Sequence, residues 1–333
     1  MKAQVLRTPH PVETSPLVAI ELPTPQPGTG EILVRVRACG VCHTDRHLVE
    51  GELPSPTLPI TPGHQIVGKV ETLGEGASRF KVGDRVGVPW LHRTCGTCDF
   101  CRRGEENLCE TAQFTGYQVD GGYAEYALAD ERFAVPLPER LGDVEAAPLL
   151  CAGIVGYRSL KLADLKPGER LGLYGFGGSG HICIQVARYW NCEVFVFTRN
   201  PEHQQHARDL GAKWAGNTDE QPSAKLDRAI IFAPVGWLVP LALGHLRRGG
   251  TLAINAIHTS PIPEMPYNLL YHERTIRTVA NATRRDAEEF LPLAAEIPVR
   301  AETQPFPLSE ANRALQMLKK SEIRGAAVLV IGD

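Results

Sequence analysis

The chain has 333 residues, 43% hydrophobic and 22% charged, and its 35 basic and 38 acidic side chains leave a formal charge of −3. That length exceeds one small core and suggests one large or two ordinary domains. A near-neutral chain without a long basic run has no electrostatic attraction for nucleic acid or an anionic membrane surface.

The predicted elements fall into two rhythms. Up to about residue 150 the chain is rich in Gly and Pro and carries short alternating runs: EILVRVRA sets Ile32, Val34 and Val36 on one face and Leu33, Arg35 and Arg37 on the other. IVGKVETLGEG and GGYAEYALAD follow the same rule between glycine-rich turns, which predicts an all-β domain, a partly open barrel. From about residue 154 strands and helices alternate. RLGLYG reads as a strand, GGSGHICIQVARYW as a helix, EVFVFT as a strand, and PEHQQHARDLG as a helix with Pro201 at its start and Gly211 beyond its end. LDRAIIFA, GTLAINA and TIRTVA supply further strands of a parallel, doubly wound sheet. After about residue 290, SEANRALQMLKK predicts one more helix and GAAVLVI a final strand. The architecture expected is a β domain over 1–153 and 291–333, interrupted by an α/β domain over 154–290.

The N-terminal MKAQVLRTPHPVETSP has no apolar core of signal-peptide length, and nowhere do about 18 apolar residues run uninterrupted. A cytoplasmic protein is expected, and in that reducing compartment nine cysteines favour thiols and metal sites over disulfides. The densest group is CGTCDFCRRGEENLC, which spaces Cys95, Cys98, Cys101 and Cys109 as C-x2-C-x2-C-x7-C within a lobe at about 90–112. Four thiolates so close can close a tetrahedral zinc site with no open position. An iron–sulfur cluster is the competitor, since the first three spacings suit one.

GFGGSG places Gly175, Gly177 and Gly180 in G-x-G-x-x-G order, with Gly178 inside it, between a predicted strand and a predicted helix. In that context glycines let backbone N–H groups meet a pyrophosphate. An acid at the end of the next strand would bind a ribose 2′-hydroxyl. That strand ends instead in Thr198 and Arg199, and Glu193 lies at its start. A hydroxyl followed by a guanidinium suits a 2′-phosphate, so NADP is expected before NAD; the bland reading of Arg199 is a solvated loop charge.

CGVCHTDRH holds Cys39, Cys42, His43, Thr44, Asp45 and His47, PGH holds His64, and LLCAGIVGY holds Cys151. Cys39 and Cys42 can be read as a C-x-x-C redox pair, and Cys151 as a buried small side chain. Taken together, GVCHTD, PGH, the four-cysteine lobe, DGGYAEY, the CAG segment and the glycine-rich loop resemble, in order and spacing, the zinc-dependent alcohol dehydrogenases of the medium-chain dehydrogenase/reductase superfamily. The resemblance covers essentially the whole chain and implies a GroES-like catalytic domain around an inserted Rossmann domain. It implies that Cys42, His64 and Cys151 hold a catalytic zinc with an open fourth position, the structural zinc being the second ion per chain. Asp45 would then fix the His64 tautomer. Thr44 would bond the substrate oxygen, and His47 would end a proton relay running through the nicotinamide ribose. His43 and Arg324 would contact the cofactor pyrophosphate, and Trp90 would line the substrate pocket.

Three positions depart from the family pattern: Gln65 stands where Glu usually follows the zinc histidine, Val155 where Thr is common, and Thr198 where NAD-dependent members carry Asp. Two thiolates already balance Zn²⁺, so Gln65 in place of a carboxylate predicts a slightly more electrophilic metal. The activity expected is interconversion of small or medium primary alcohols and aldehydes, in a homodimer or homotetramer. The alternatives are a secondary-alcohol or polyol dehydrogenase on the same scaffold, and a non-catalytic dinucleotide-binding redox sensor. A zinc-free quinone reductase is disfavoured, having no use for Cys42, His64 and Cys151 together.

Overall fold

A computed structural model describes residues 1–54, 56–297 and 299–332. The alternation in EILVRVRA becomes the eleven-residue strand Glu31–Val41, the centre of a seven-stranded sheet. The sheet runs in the order Thr303–Pro307, Ala326–Val330, Glu31–Val41, Ile66–Leu73, Arg85–Val88 and Val135–Pro136, and Tyr126–Asp130 also pairs with the central strand. Register shifts between Leu33 and Val34 and between Val36 and Ala38 bend this strand. One of its edges therefore takes Tyr126–Asp130 along Glu31–Arg35 and Ala326–Val330 along Ala38–Val41. That is how a sheet curls into a partly open barrel. Ile32, Val34 and Val36 are buried in its core with Leu6, Ile66, Val70, Val86, Leu315 and Leu329. Leu33 is buried too, so only the arginines of the other face reach outward.

The second rhythm produces a six-stranded, wholly parallel sheet ordered Trp214–Gly216, Glu193–Phe197, Arg170–Tyr174, Leu226–Ile231, Leu246–Ile254 and Thr275–Thr278. Numbered along the chain this is 3-2-1-4-5-6, the Rossmann order, whose direction reverses beside the first strand. Its β-branched and aromatic strands are buried on both faces, as a parallel sheet covered by helices requires. Tyr174 and Phe197 stack at 4.3 Å in its core, and the Tyr174 hydroxyl meets His245 Nδ1 at 2.7 Å. The helix Pro201–Asp209 starts as expected: Pro201 occupies its first position, and the Asn200 side chain accepts from the Glu202 N–H at 2.8 Å.

The chain separates into two compact units, Met1–Cys151 with Thr283–Ala295 and Arg300–Asp333, and Ala152–Ala282 with Glu296–Val299. The second crossing lies a little earlier than the expected 290. The helix Arg284–Glu296 begins inside the first unit because Arg284 forks onto the buried Glu106 carboxylate, with Nε 2.9 Å from both oxygens. No described helix is long and apolar enough to cross a membrane.

Candidate metal centres and cofactor loop

Three elements of the first unit converge on one point. Cys42 follows the strand Glu31–Val41 and caps the helix His43–Glu50. His64 precedes the strand Ile66–Leu73, and Cys151 ends the turn Ala147–Leu150. Their donor atoms all lie within 4.8 Å of one another, and Cys42 Sγ is 3.3 Å from His64 Nε2. Gly63 sets the approach of the histidine: it has φ +98°, and a Cβ there would stand 2.4 Å from the Tyr123 ring. Neither demand is met by a residue with a side chain.

Asp45, in the first turn of the helix, is 1% exposed and uses both oxygens. One accepts the Cys42 backbone N–H at 2.9 Å, and the other accepts His64 Nδ1 at 3.1 Å. The carboxylate thus caps the helix and directs Nε2 toward the two sulfurs. A hydrogen bond from the Cys151 thiol pulls Cys42 well below the ordinary thiol range, and sharing that proton raises Cys151. Burial alone would lower His64, but the Asp45 carboxylate and the Cys42 thiolate outweigh it and raise the ring well above its usual value. Two cysteine sulfurs and one imidazole nitrogen, oriented by a carboxylate, are a donor set that fits Zn²⁺ once the metal has displaced their protons.

Cys39 is turned into the barrel core, where burial pushes its thiol well up, and it stands outside this donor group. Gln65 is also buried, but its side chain lies against Gly40: a Cβ on Gly40 would stand 2.3 Å from Gln65 Oε1. In extended chain, successive side chains take opposite sides, so the amide faces the neighbouring strand. The Trp90 ring is 5.5 Å from the His64 ring and 5.0 Å from Phe114. Thr44 is half-buried in the first turn of the helix, and His43 is exposed at its start, 6.4 Å from His47 ring to ring. His47 is buried, and its Nδ1 hydrogen-bonds the Glu52 carboxylate. Glu52 was not singled out from the sequence; the available signal was its position just after Gly51, which ends the helix.

The second cysteine group is built locally. Cys95, Cys98, Cys101 and Cys109 bring their sulfurs within 4.8 Å of one another. Cys95 Sγ is 3.6 Å from Cys109 Sγ and 3.9 Å from Cys101 Sγ, far beyond the roughly 2.05 Å of a disulfide. The Thr97 and Cys98 N–H groups donate to Cys95 Sγ at 3.4 and 3.3 Å and bring its thiol down to about 5. Thiolates held by backbone donors around one point fit a closed tetrahedral ion.

In the second unit the glycine-rich loop follows the strand Arg170–Tyr174 and opens the helix Gly178–Tyr189. Gly175 has φ +95°, and a Cβ on Gly180 would stand 2.9 Å from the Gly175 carbonyl oxygen. Gly177 meets nothing within 4 Å on its Cβ side, and no side chain caps the helix it opens. Gly178 lies 3.5 Å from Ala152 Cβ by the same measure. An uncapped helix end behind bare backbone fits a pyrophosphate. Thr198 is buried at the end of the strand Glu193–Phe197, its carbonyl accepting Gln204 Nε2 at 2.8 Å, while Arg199 is exposed. Glu193, at the strand's other end, pairs with Arg170 at 3.0 Å and Lys213 at 3.5 Å. Arg324 belongs to the first unit, where its exposed side chain pairs with Glu302 at 3.3 Å.

Two family models match the chain: the alcohol dehydrogenase GroES-like domain over residues 28–139 and the zinc-binding dehydrogenase domain over 178–296. A probable alcohol dehydrogenase AdhA of Mycobacterium tuberculosis is 48% identical, over 99% of this chain and 97% of its own length. An alcohol dehydrogenase of Geobacillus stearothermophilus is 38% identical over 95% and 96%. The solved structure of a cobalt- and zinc-bound thermostable alcohol dehydrogenase from Pyrobaculum aerophilum superposes with a TM-score of 0.89 at 28% identity, covering 99% of both chains. The chain therefore belongs to the zinc-type alcohol dehydrogenases of the medium-chain dehydrogenase/reductase superfamily.

Proposed function

We propose that the protein is a cytoplasmic, homo-oligomeric alcohol dehydrogenase with two zinc ions per chain. It interconverts small or medium primary alcohols and aldehydes and prefers NADP. The observation that carries the activity is the convergence of Cys42, His64 and Cys151 within 4.8 Å, with Asp45 on the far nitrogen of the histidine. Bound zinc polarises a substrate oxygen and brings the pKa of an alcohol toward neutrality.

The chain's own residues do the rest. Asp45 keeps the His64 lone pair on the metal side, Thr44 takes the proton that leaves the alcohol, and His47 passes it toward water. Trp90, beside the zinc histidine, walls the pocket and limits the substrate. The loop Gly175–Gly180 and His43 hold the cofactor pyrophosphate. Arg324 is the further pyrophosphate contact that the family resemblance implies. Cys95, Cys98, Cys101 and Cys109 hold the structural ion. The NADP preference rests on Thr198 and Arg199 at the binding end of their strand, where Glu193, committed to Arg170 and Lys213, has no part.

Purified protein should carry two zinc ions per chain and oxidise ethanol and benzyl alcohol faster than 2-propanol or sorbitol. Its kcat/KM should be higher with NADP than with NAD. A strong preference for NAD overturns the cofactor assignment, and faster turnover of 2-propanol or sorbitol overturns the substrate class. One zinc and no turnover overturns the enzyme reading.

A further inference from the structure

The helix His43–Glu50 ends in a way that ties its last turn back on itself. Gly51 takes φ +77° and its N–H reaches the Leu48 carbonyl, while the Glu52 N–H returns to the His47 carbonyl at 2.8 Å. This 6→1 and 5→2 pair is the Schellman motif, which brings the second residue beyond the helix over the residue five before it. An apolar contact usually fills that place. Here it is filled by an acid and an imidazole, and the Glu52 carboxylate accepts a hydrogen bond at His47 Nδ1. Backbone geometry therefore delivers Glu52 to His47 without a long-range contact.

We infer that Glu52 is the positioning residue of the proton exit: by accepting from Nδ1 it holds neutral His47 in the Nδ1–H tautomer, leaving the lone pair on Nε2 to take the substrate-derived proton. The inference rests on the proposed role of His47 as the outer proton acceptor. The carboxylate has only lone pairs to offer, so its contact with a neutral ring requires the ring proton on Nδ1. Arg46 argues the other way, since its Nη2 lies 3.3 Å from the same nitrogen and a guanidinium only donates. Arg46, however, is also engaged by Glu50 at 3.6 Å and by Glu52 at 3.7 Å, so its donors have carboxylates to satisfy them, whereas Glu52 can only accept. The carboxylate therefore decides the tautomer.

His47 is buried and the Glu52 side chain is 49% exposed, so the pair runs from the interior to solvent. When Nε2 takes the proton, the ring becomes an imidazolium whose charge Glu52 balances. The Nε2–H bond then breaks as the proton passes to a water molecule and forms an O–H bond there, which restores the neutral Nδ1–H ring. Among the described residues, the other charged or titratable groups packed about this helix include Asp45, paired with His64 at 3.1 Å, the neighbouring His43 ring, and the network Glu50–Lys319–Glu13, with Lys319 2.7 Å from Glu50 and 3.0 Å from Glu13. The network is paired within itself and Asp45 with His64, and the charged groups described at His47 Nδ1 are Glu52 and Arg46.

The test uses the zinc-loaded full chain labelled with ¹⁵N-histidine, with Glu52→Gln, Glu52→Asp and His47→Gln beside it. In the cofactor-free parent at a pH where His47 is neutral, ¹⁵N shifts should report Nδ1–H. In Glu52→Gln, with the carboxylate gone and Arg46 left to donate, they should report Nε2–H. Alcohol oxidation by Glu52→Gln should slow about tenfold in kcat near pH 7, a modest share of what positioned acid–base groups supply. The cofactor KM should stay unchanged, and Glu52→Asp should recover most of the rate. A parent His47 in the Nε2–H form overturns the inference, as does a slow Glu52→Gln whose tautomer or Asp rescue fails. If the tautomers behave as stated and His47→Gln oxidises alcohol at the parent rate, it is the relay role of His47 that fails.

Discussion

The two cysteine groups of the first unit use the same atoms in opposite ways. Cys95, Cys98, Cys101 and Cys109 lie within fifteen residues, Cys95 exposed and Cys109 buried, and backbone N–H groups hold the Cys95 thiolate. Cys42, His64 and Cys151 are drawn from across 110 residues around a buried histidine, and a buried carboxylate orients them. A site closed by four thiolates can only hold its ion. A site with three donors leaves a position where chemistry can occur. On the proposed function, the difference separates a device for stability from a device for catalysis within one unit.

Breaking one donor in each group should expose that division. His64→Ala should cut alcohol oxidation by about three orders of magnitude, several kcal/mol of lost charge stabilisation, and leave about one zinc per chain. Cys98→Ser should also leave about one zinc, but its main effect should be a Tm lower by about 10 °C. Metal analysis, steady-state rates and calorimetry on the two variants check this. Equal loss of turnover with an unchanged Tm in Cys98→Ser would dissolve the distinction.

The contrast sharpens when carried to the buried histidines. Asp45 and Cys42 hold His64 above its ordinary value, whereas His245, buried beside a phenol and with its Nε2 lacking a described partner, is pushed down to about 4. Between pH 6.5 and 4 the unfolded chain therefore binds a proton at this position that the native chain refuses. Stability is complete above pH 6.5 and falls as the pH drops toward 4, by about 3 kcal/mol in total. Urea titrations at pH 7 and pH 4.5 should show the loss, and His245→Asn should be less stable at pH 7 but should lack that part of the acid dependence.

The smallest effect concerns the amide beside the zinc histidine. Gln65→Glu would add a buried negative charge next to His64, and should raise the pKa of the alcohol-oxidation profile by about half a unit. An unchanged or lowered profile refutes the electrostatic account and leaves only the packing of Gln65 on Gly40.

Several elements escaped the sequence reading. The helices Ala152–Leu162, Leu238–His245 and Arg284–Glu296 were not anticipated. The first carries Gly153 and Gly156, the second is apolar nearly all round with Pro240 inside it, and the third contains Pro292. Glycines, an unbroken apolar run and an internal proline respectively masked these helices, and burial in the tertiary structure stabilises each of them. The longer strands were legible because runs of β-branched and apolar residues mark consecutive positions, as in Glu31–Val41, whereas Lys2–Leu6, Leu17–Glu21, Arg85–Val88 and Thr303–Pro307 were not anticipated.

The sequence by itself determined what is encoded at short range. The β and α/β rhythms, the cysteine lobe and the glycine loop each need residues only a few positions apart, and their spacing is their geometry. The resemblance to a known family added the ligand role of Cys42, His64 and Cys151, which spacing could not supply. Only the tertiary structure decided that those three donors meet, because their approach depends on sheet register and on Gly63 fitting beneath Tyr123. It also decided that Gln65 faces Gly40 and that Glu52 closes on His47. The direction of a side chain follows from the backbone path on either side of it, and that path is settled by packing between distant segments.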